Sequence, residues 1–126
     1  MKRTKSVLSG PAIIGLLLLG VSQAASAQDP AVVNARMIRV RLENSRVRVL
    51  EATLHPGEKE KLHSHPAYVI YVIVGGKVRN HAADGKVTES EMATGDTIYR
   101  EPLTHWAENI GTTTIHLILV ELKNPN

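Results

Sequence analysis

The 126-residue chain has no cysteine, so disulfides and thiolate metal ligands are both excluded. It also has no apolar run of bilayer length: Ala12 to Val21 gives about ten residues against the roughly 20 that a membrane-spanning helix needs. No Ser/His/Asp order, no Cys/His pair and no Gly-rich phosphate loop occurs, which leaves covalent hydrolysis and nucleotide binding without support. A sustained helical period, an internal repeat and a dividing linker are missing too. What remains is one small domain with a short apolar segment in front of it.

That leading segment has the order of a secretory leader. Lys2, Arg3 and Lys5 precede Ala12 to Val21, and Ala25-Ser26-Ala27 supplies a small-residue cleavage site. The expected mature protein is cut after Ala27 and is periplasmic or secreted, with no stable membrane anchor. With no cysteine after the apolar segment, a lipid anchor is excluded as well. The net charge of +3 comes from 15 Lys and Arg against 12 Asp and Glu, and the leader holds three of the cations and none of the anions. The mature chain is therefore formally neutral, and a nucleic-acid partner is not expected. Five arginines from Arg36 to Arg48 read as the exposed side of a strand pair rather than as a basic binding stripe.

Period-two alternation marks the mature chain as all-β. Residues 28–45 read as a loose arm followed by a first strand, with Ile38, Val40 and Leu42 on one face. Residues 46–122 read as the main domain. Pro56-Gly57 suits the central positions of a type II turn, Tyr68 to Val74 a central strand, and Asp84-Gly85 a type I′ hairpin turn between Lys77 to Ala82 and Lys86 to Met92. Short strands at this spacing predict a sandwich or barrel.

The chemistry lies in the histidines. In Gly57-x5-His63-x-His65 the two imidazoles fall on the same side of a strand, roughly 6.6 Å apart along it, and can lean onto one ion about 2.0 to 2.1 Å away. His105, in His105-x3-Asn109, is the candidate third ligand from another strand.

These residues resemble the cupin superfamily, in particular its small single-domain secreted members of the type-2, quercetin-dioxygenase-like kind. The first cupin motif, Gly-x5-His-x-His-x3,4-Glu-x6-Gly, is matched by Gly57, His63, His65 and Gly76, while Val69 stands where the count from Gly76 puts the glutamate. Gly95, His105 and Asn109 match the second motif if its loop is one residue shorter. The resemblance implies a single jelly-roll β-barrel, one divalent transition metal (Fe, Zn, Mn, Ni or Cu) on His63, His65 and His105, a small-molecule ligand or substrate, and a homodimer as a compatible assembly.

Two functions follow as expectations. One is an exported mononuclear metal-binding cupin acting on a small molecule, with dioxygenase-like chemistry at a three-histidine site. The other is a non-catalytic ligand- or metal-binding module of the cell envelope. Tyr71, two residues beyond Val69 and on the same side of a regular strand, is the candidate catalytic residue, placed to orient or protonate a bound ligand; a barrel-wall aromatic is its alternative reading. Three free imidazoles further imply that metal is lost below roughly pH 6.

Overall fold

The computed structural model describes Gly10 and residues 28–124, so the leader and its cleavage site lie outside the described residues apart from Gly10. A short helix, α1 (Pro30–Val33), precedes strands β1 (Ile38–Glu43), β2 (Val47–Leu54), β3 (His63–His65), β4 (Tyr68–Val74) and β5 (Gly76–Ala82). Strands β6 (Val87–Met92), β7 (Thr97–Arg100), β8 (Leu103–Asn109) and β9 (Ile115–Leu122) complete the order. The all-β reading holds, and the arm is more ordered than expected: Asp29 caps α1 by accepting from the Ala31 N–H at 2.9 Å, and Pro30 is buried.

Two antiparallel sheets form, β1-β2-β9-β4-β7 and β3-β8-β5-β6. They are not closed into a barrel, which corrects the expected single jelly-roll barrel to two sheets packed face to face. The open edges are β1 and β7 in one sheet and β3 and β6 in the other, and Pro66 and Pro102 stand at two of the corners where the chain passes between sheets, from β3 to β4 and from β7 to β8. Alternating residues of both sheets meet in one core: Leu50, Ala52 and Leu54 of β2, Tyr68, Ile70 and Val72 of β4, and Val78, Met92, Ala107 and Leu119 from β5, β6, β8 and β9.

Local chemistry explains two further differences from the expected pattern. Val40 pairs with Leu50 but Leu42 pairs with Val49, so a bulge between them puts Leu42 on the opposite face from Val40 and breaks the predicted three-residue stripe. The β5–β6 connection is also not type I′, since only Gly85 has positive φ (+91°) and Asp84 does not. The Gly85 N–H donates to the Ala82 carbonyl and the Ala82 N–H to the Lys86 carbonyl, the pattern of a type I turn closed by a glycine bulge. The Pro56-Gly57 turn is type II as expected, with φ +81° at Gly57 and the Glu58 N–H bonded to the His55 carbonyl at 3.0 Å.

Asn109, 1% exposed, ties the ends of β2 and β8 together. Its Nδ2 donates to the carbonyls of Leu54 and Thr113, both at 2.8 Å, and its Oδ1 accepts from the Gly111 N–H at 3.0 Å. Asn109→Ala leaves those backbone groups without their partner, and the expected loss is about 2–4 kcal/mol of unfolding free energy, read by urea denaturation. A change below about 0.5 kcal/mol would show that water replaces the side chain without cost.

Candidate metal centre

Strand pairing assembles the site. His63 lies directly opposite His105 in the β3–β8 ladder, and His65 follows two residues on, so all three imidazoles leave the same face. Ring centroids are 4.8 Å apart for His63–His65 and His63–His105 and 5.6 Å for His65–His105. One ligand nitrogen from each lies within 4.8 Å of the other two. Small ring rotations bring such a set to the separation that one ion at about 2.0–2.1 Å requires.

Hydrogen bonds assign which nitrogens are free. His63 Nδ1 is 2.8 Å from the Lys61 carbonyl and 3.1 Å from Asn34 Nδ2, which itself donates to that carbonyl; with the carbonyl as the shared acceptor and the nearer partner, Nδ1 carries the proton and Nε2 keeps its lone pair. His65 Nδ1 is 2.7 Å from Glu121 Oε1, and the same argument leaves its Nε2 free. This is the carboxylate–histidine arrangement that orients metal ligands. Behind Glu121, Arg48 Nη1 stands 3.7 Å from Oε2 and 2.9 Å from Asp29 Oδ2, so a line of charges runs from the site to the cap of α1. Burial lowers the His63 pKa to about 4; burial and the neighbouring histidines lower that of His105 to about 3. Both are neutral at pH 7. The donor set therefore fits a divalent transition ion: imidazole nitrogens on one face, with acceptors behind two of the three rings and His63 and His105 held neutral by burial.

The histidines line a cavity of about 390 Å³. Its floor is apolar, including Ile70, Met92 and Leu119, and Lys86 and Arg100 lie among the exposed residues at its edge. Glu60 is the only carboxylate among the described residues that lines it, and sequence reasoning missed this residue. Parity along a regular strand sends Glu60 and His63 to opposite faces. The chain is not regular there: three residues lie between Lys59 and His63 but two between their partners Glu108 and His105. Lys61 and Leu62 thus oppose the single Trp106, a bulge that turns Glu60 inward, where Oε2 is 3.8 Å from His63 Nε2 and accepts from the Ala107 N–H at 2.9 Å. Desolvation raises the Glu60 pKa to about 7. The sequence signal was the turn-like, non-alternating run between Gly57 and His63.

Tyr71 is not in the cavity. The inner face of β4 carries Tyr68, Ile70 and Val72, and Tyr71 is 50% exposed on the other face, beside Val69. This corrects the expected catalytic position, and it also shows that Ile70 rather than Val69 is the apolar residue facing the histidines. Tyr68, on the inner face, stacks on His65 with centroids 4.5 Å apart, and burial raises its pKa.

The other histidines stand apart from the cluster. His81 stacks on Trp106 at 3.6 Å, His116 pairs with Glu51 at 2.9 Å, and His55 meets Thr114 Oγ1 at 3.1 Å beside its turn. Arg79 pairs with Glu89 and Glu108, whereas Arg100 borders the cavity.

Comparison with known proteins places this geometry. No curated protein sequence matches the chain. Among crystal structures, a cupin domain from Bordetella pertussis Tohama I aligns with TM-score 0.64 and 26% identity over 70% of this chain and 93% of that one. An uncharacterized conserved protein with a double-stranded β-helix domain from Klebsiella pneumoniae aligns with TM-score 0.54 and 28% identity over 69% and 72%. A predicted oxalate decarboxylase from Thermotoga maritima shares the fold at 22% identity and TM-score 0.51, over 69% and 79%. The cupin domain family matches residues 50–121, which hold β3, β8 and all three histidines, and on that match the chain belongs to the cupin family.

Proposed function

We propose that this cupin is an exported, mononuclear metal-binding protein that acts on a small anionic or chelating molecule, with dioxygenase-type oxidation as its reaction. One observation carries the reading: three imidazoles converge in a cavity of about 390 Å³ with cations at its edge. Neutral ligands leave most of a divalent charge uncompensated, which favours an anionic ligand on the open positions, and Arg100 and Lys86 add attraction of the same sign. A bound ion (Fe, Zn, Mn, Ni or Cu) would supply Lewis acidity and, where redox-active, the electron transfer that oxidation by dioxygen needs. The apolar floor limits water around the bound molecule, and Tyr68 holds the His65 ring in place from the side.

The outward position of Tyr71 favours a second reading, since it takes the expected proton donor away from the site. On that reading the cavity captures a small ligand or metal without turning it over. Oxygen consumption on addition of candidate ligands separates the two: turnover supports the enzyme, and tight binding with no product supports the module.

The protein purified without chelators or a histidine tag is expected to carry about one equivalent of a single transition metal. His65→Ala should lose it while its far-UV circular dichroism stays native. Wild-type protein that neither contains nor takes up a first-row divalent ion would overturn both readings as far as metal is concerned. Export rests on the leader sequence, and the exported protein is expected to begin at Gln28 on N-terminal sequencing; a retained Met1 would overturn it.

Stability of the metal-free protein should depend on pH in a defined sense. His63 and His105 fall from 6.5 to about 4 and about 3 on folding, so their contribution is complete above pH 6.5 and is lost as pH falls toward those values. Proton competition for these two ligands is correspondingly displaced below the pH 6 expected of free imidazoles. Glu60 rises from 4.5 to about 7, so its contribution is complete below pH 4.5 and is lost as pH rises through 7. Two groups outweigh one: between pH 4.5 and 6.5 the thermal midpoint should climb, corresponding to about one more proton bound by the unfolded chain. A midpoint that falls across this window would show that the imidazoles are not buried neutral.

A further inference from the structure

The carboxylate that the first cupin motif places on β4 is absent here, and Ile70 faces the histidines instead. We propose that Glu60 replaces it, entering the coordination of the ion from the opposite side of the motif. The proposal rests on the reading that His63, His65 and His105 hold a metal.

Three observations support it. First, position: the Lys61–Leu62 bulge turns the Glu60 side chain into the cavity, with Oε2 3.8 Å from His63 Nε2, a nitrogen whose lone pair is free. Two atoms bonded to one ion at about 2.0–2.2 Å stand no more than about 4.3 Å apart, so Glu60 is within range of an ion on His63. Among the described residues the set of mutually close ligand atoms holds the three histidines alone, and the Glu60 side chain must turn further inward to reach an ion shared by all three. Second, charge: the side chain is 11% exposed, and among the described residues its only ion-pair partner is His63, itself neutral. A buried carboxylate without a cation is costly, and a divalent ion on the histidines is the counter-charge that the cavity is otherwise missing. Third, support: the neighbouring backbone is fixed. The Glu60 N–H donates to the Ala107 carbonyl at 2.9 Å, and Asn34 holds Lys61 through both its N–H (2.7 Å) and its carbonyl (3.1 Å). The bulge is pinned from both sides, so Glu60 is presented on a rigid segment.

A purely structural Glu60 would serve only the Ala107 N–H, and glutamine keeps an oxygen for that bond. Co(II) titration of the purified metal-free protein, followed by visible absorption, therefore separates the roles. Wild type is expected to bind one Co(II), and Glu60→Gln to bind it at least about tenfold more weakly with an altered absorption spectrum, while the metal-free melting temperature does not fall. Glu60→Asp, which keeps the charge on a shorter stem, should recover part of the affinity, whereas a structural role makes both variants equal to wild type. Unchanged affinity and spectrum in Glu60→Gln would overturn the assignment alone. Wild-type protein that takes up no Co(II) would overturn the histidine site and the assignment together.

Discussion

The pairing of β3 with β8, interrupted by one extra residue at Lys61–Leu62, is the constraint on which the site depends. In register it sets His63 against His105 and sends three imidazoles to one face. Through the bulge it adds Glu60 to the same face. The Lys61 carbonyl, turned by that bulge, accepts from His63 Nδ1 and so points the free nitrogen inward. A shift of one residue in this ladder would turn the histidines out of the cavity, since side-chain direction in a strand alternates.

What holds the bulge comes from outside the two strands. Asn34, 2% exposed, follows α1 and bonds both backbone groups of Lys61. Asp29 at the other end of α1 grips Arg48, which also stands beside Glu121, the acceptor for His65. The Ser64 N–H donates to the Gln28 carbonyl at 2.8 Å. The segment read as a loose arm is thus the outer support of two of the three imidazoles, and positioning of this kind governs how well a ligand set holds its ion.

The electrostatics are built by subtraction. Burial strips His63 and His105 of their protons, no lysine or arginine pairs with Glu60 among the described residues, and the exposed cations Lys86 and Arg100 stand at the cavity's edge. The interior is left with lone pairs and one carboxylate, an environment that attracts a cation first and an anionic ligand second.

The amino-acid sequence by itself determined the all-β class, most strand positions, the type II turn at Pro56-Gly57 and the three histidines, because alternation, turn residues and a His-x-His spacing are local properties of the chain. Only the tertiary structure decided which residues share a face after an irregularity. One extra residue reverses the parity of everything before it, so Glu60 was hidden and Leu42 misplaced. On β4 the inner face was carried over from an assumed glutamate position, which exchanged Tyr68 for Tyr71. The open edges of the two sheets and the buried role of the arm were equally out of reach, since the first depends on how the strands are ordered in space and the second on Asn34 and Asp29 meeting partners 27 and 19 residues away in the chain.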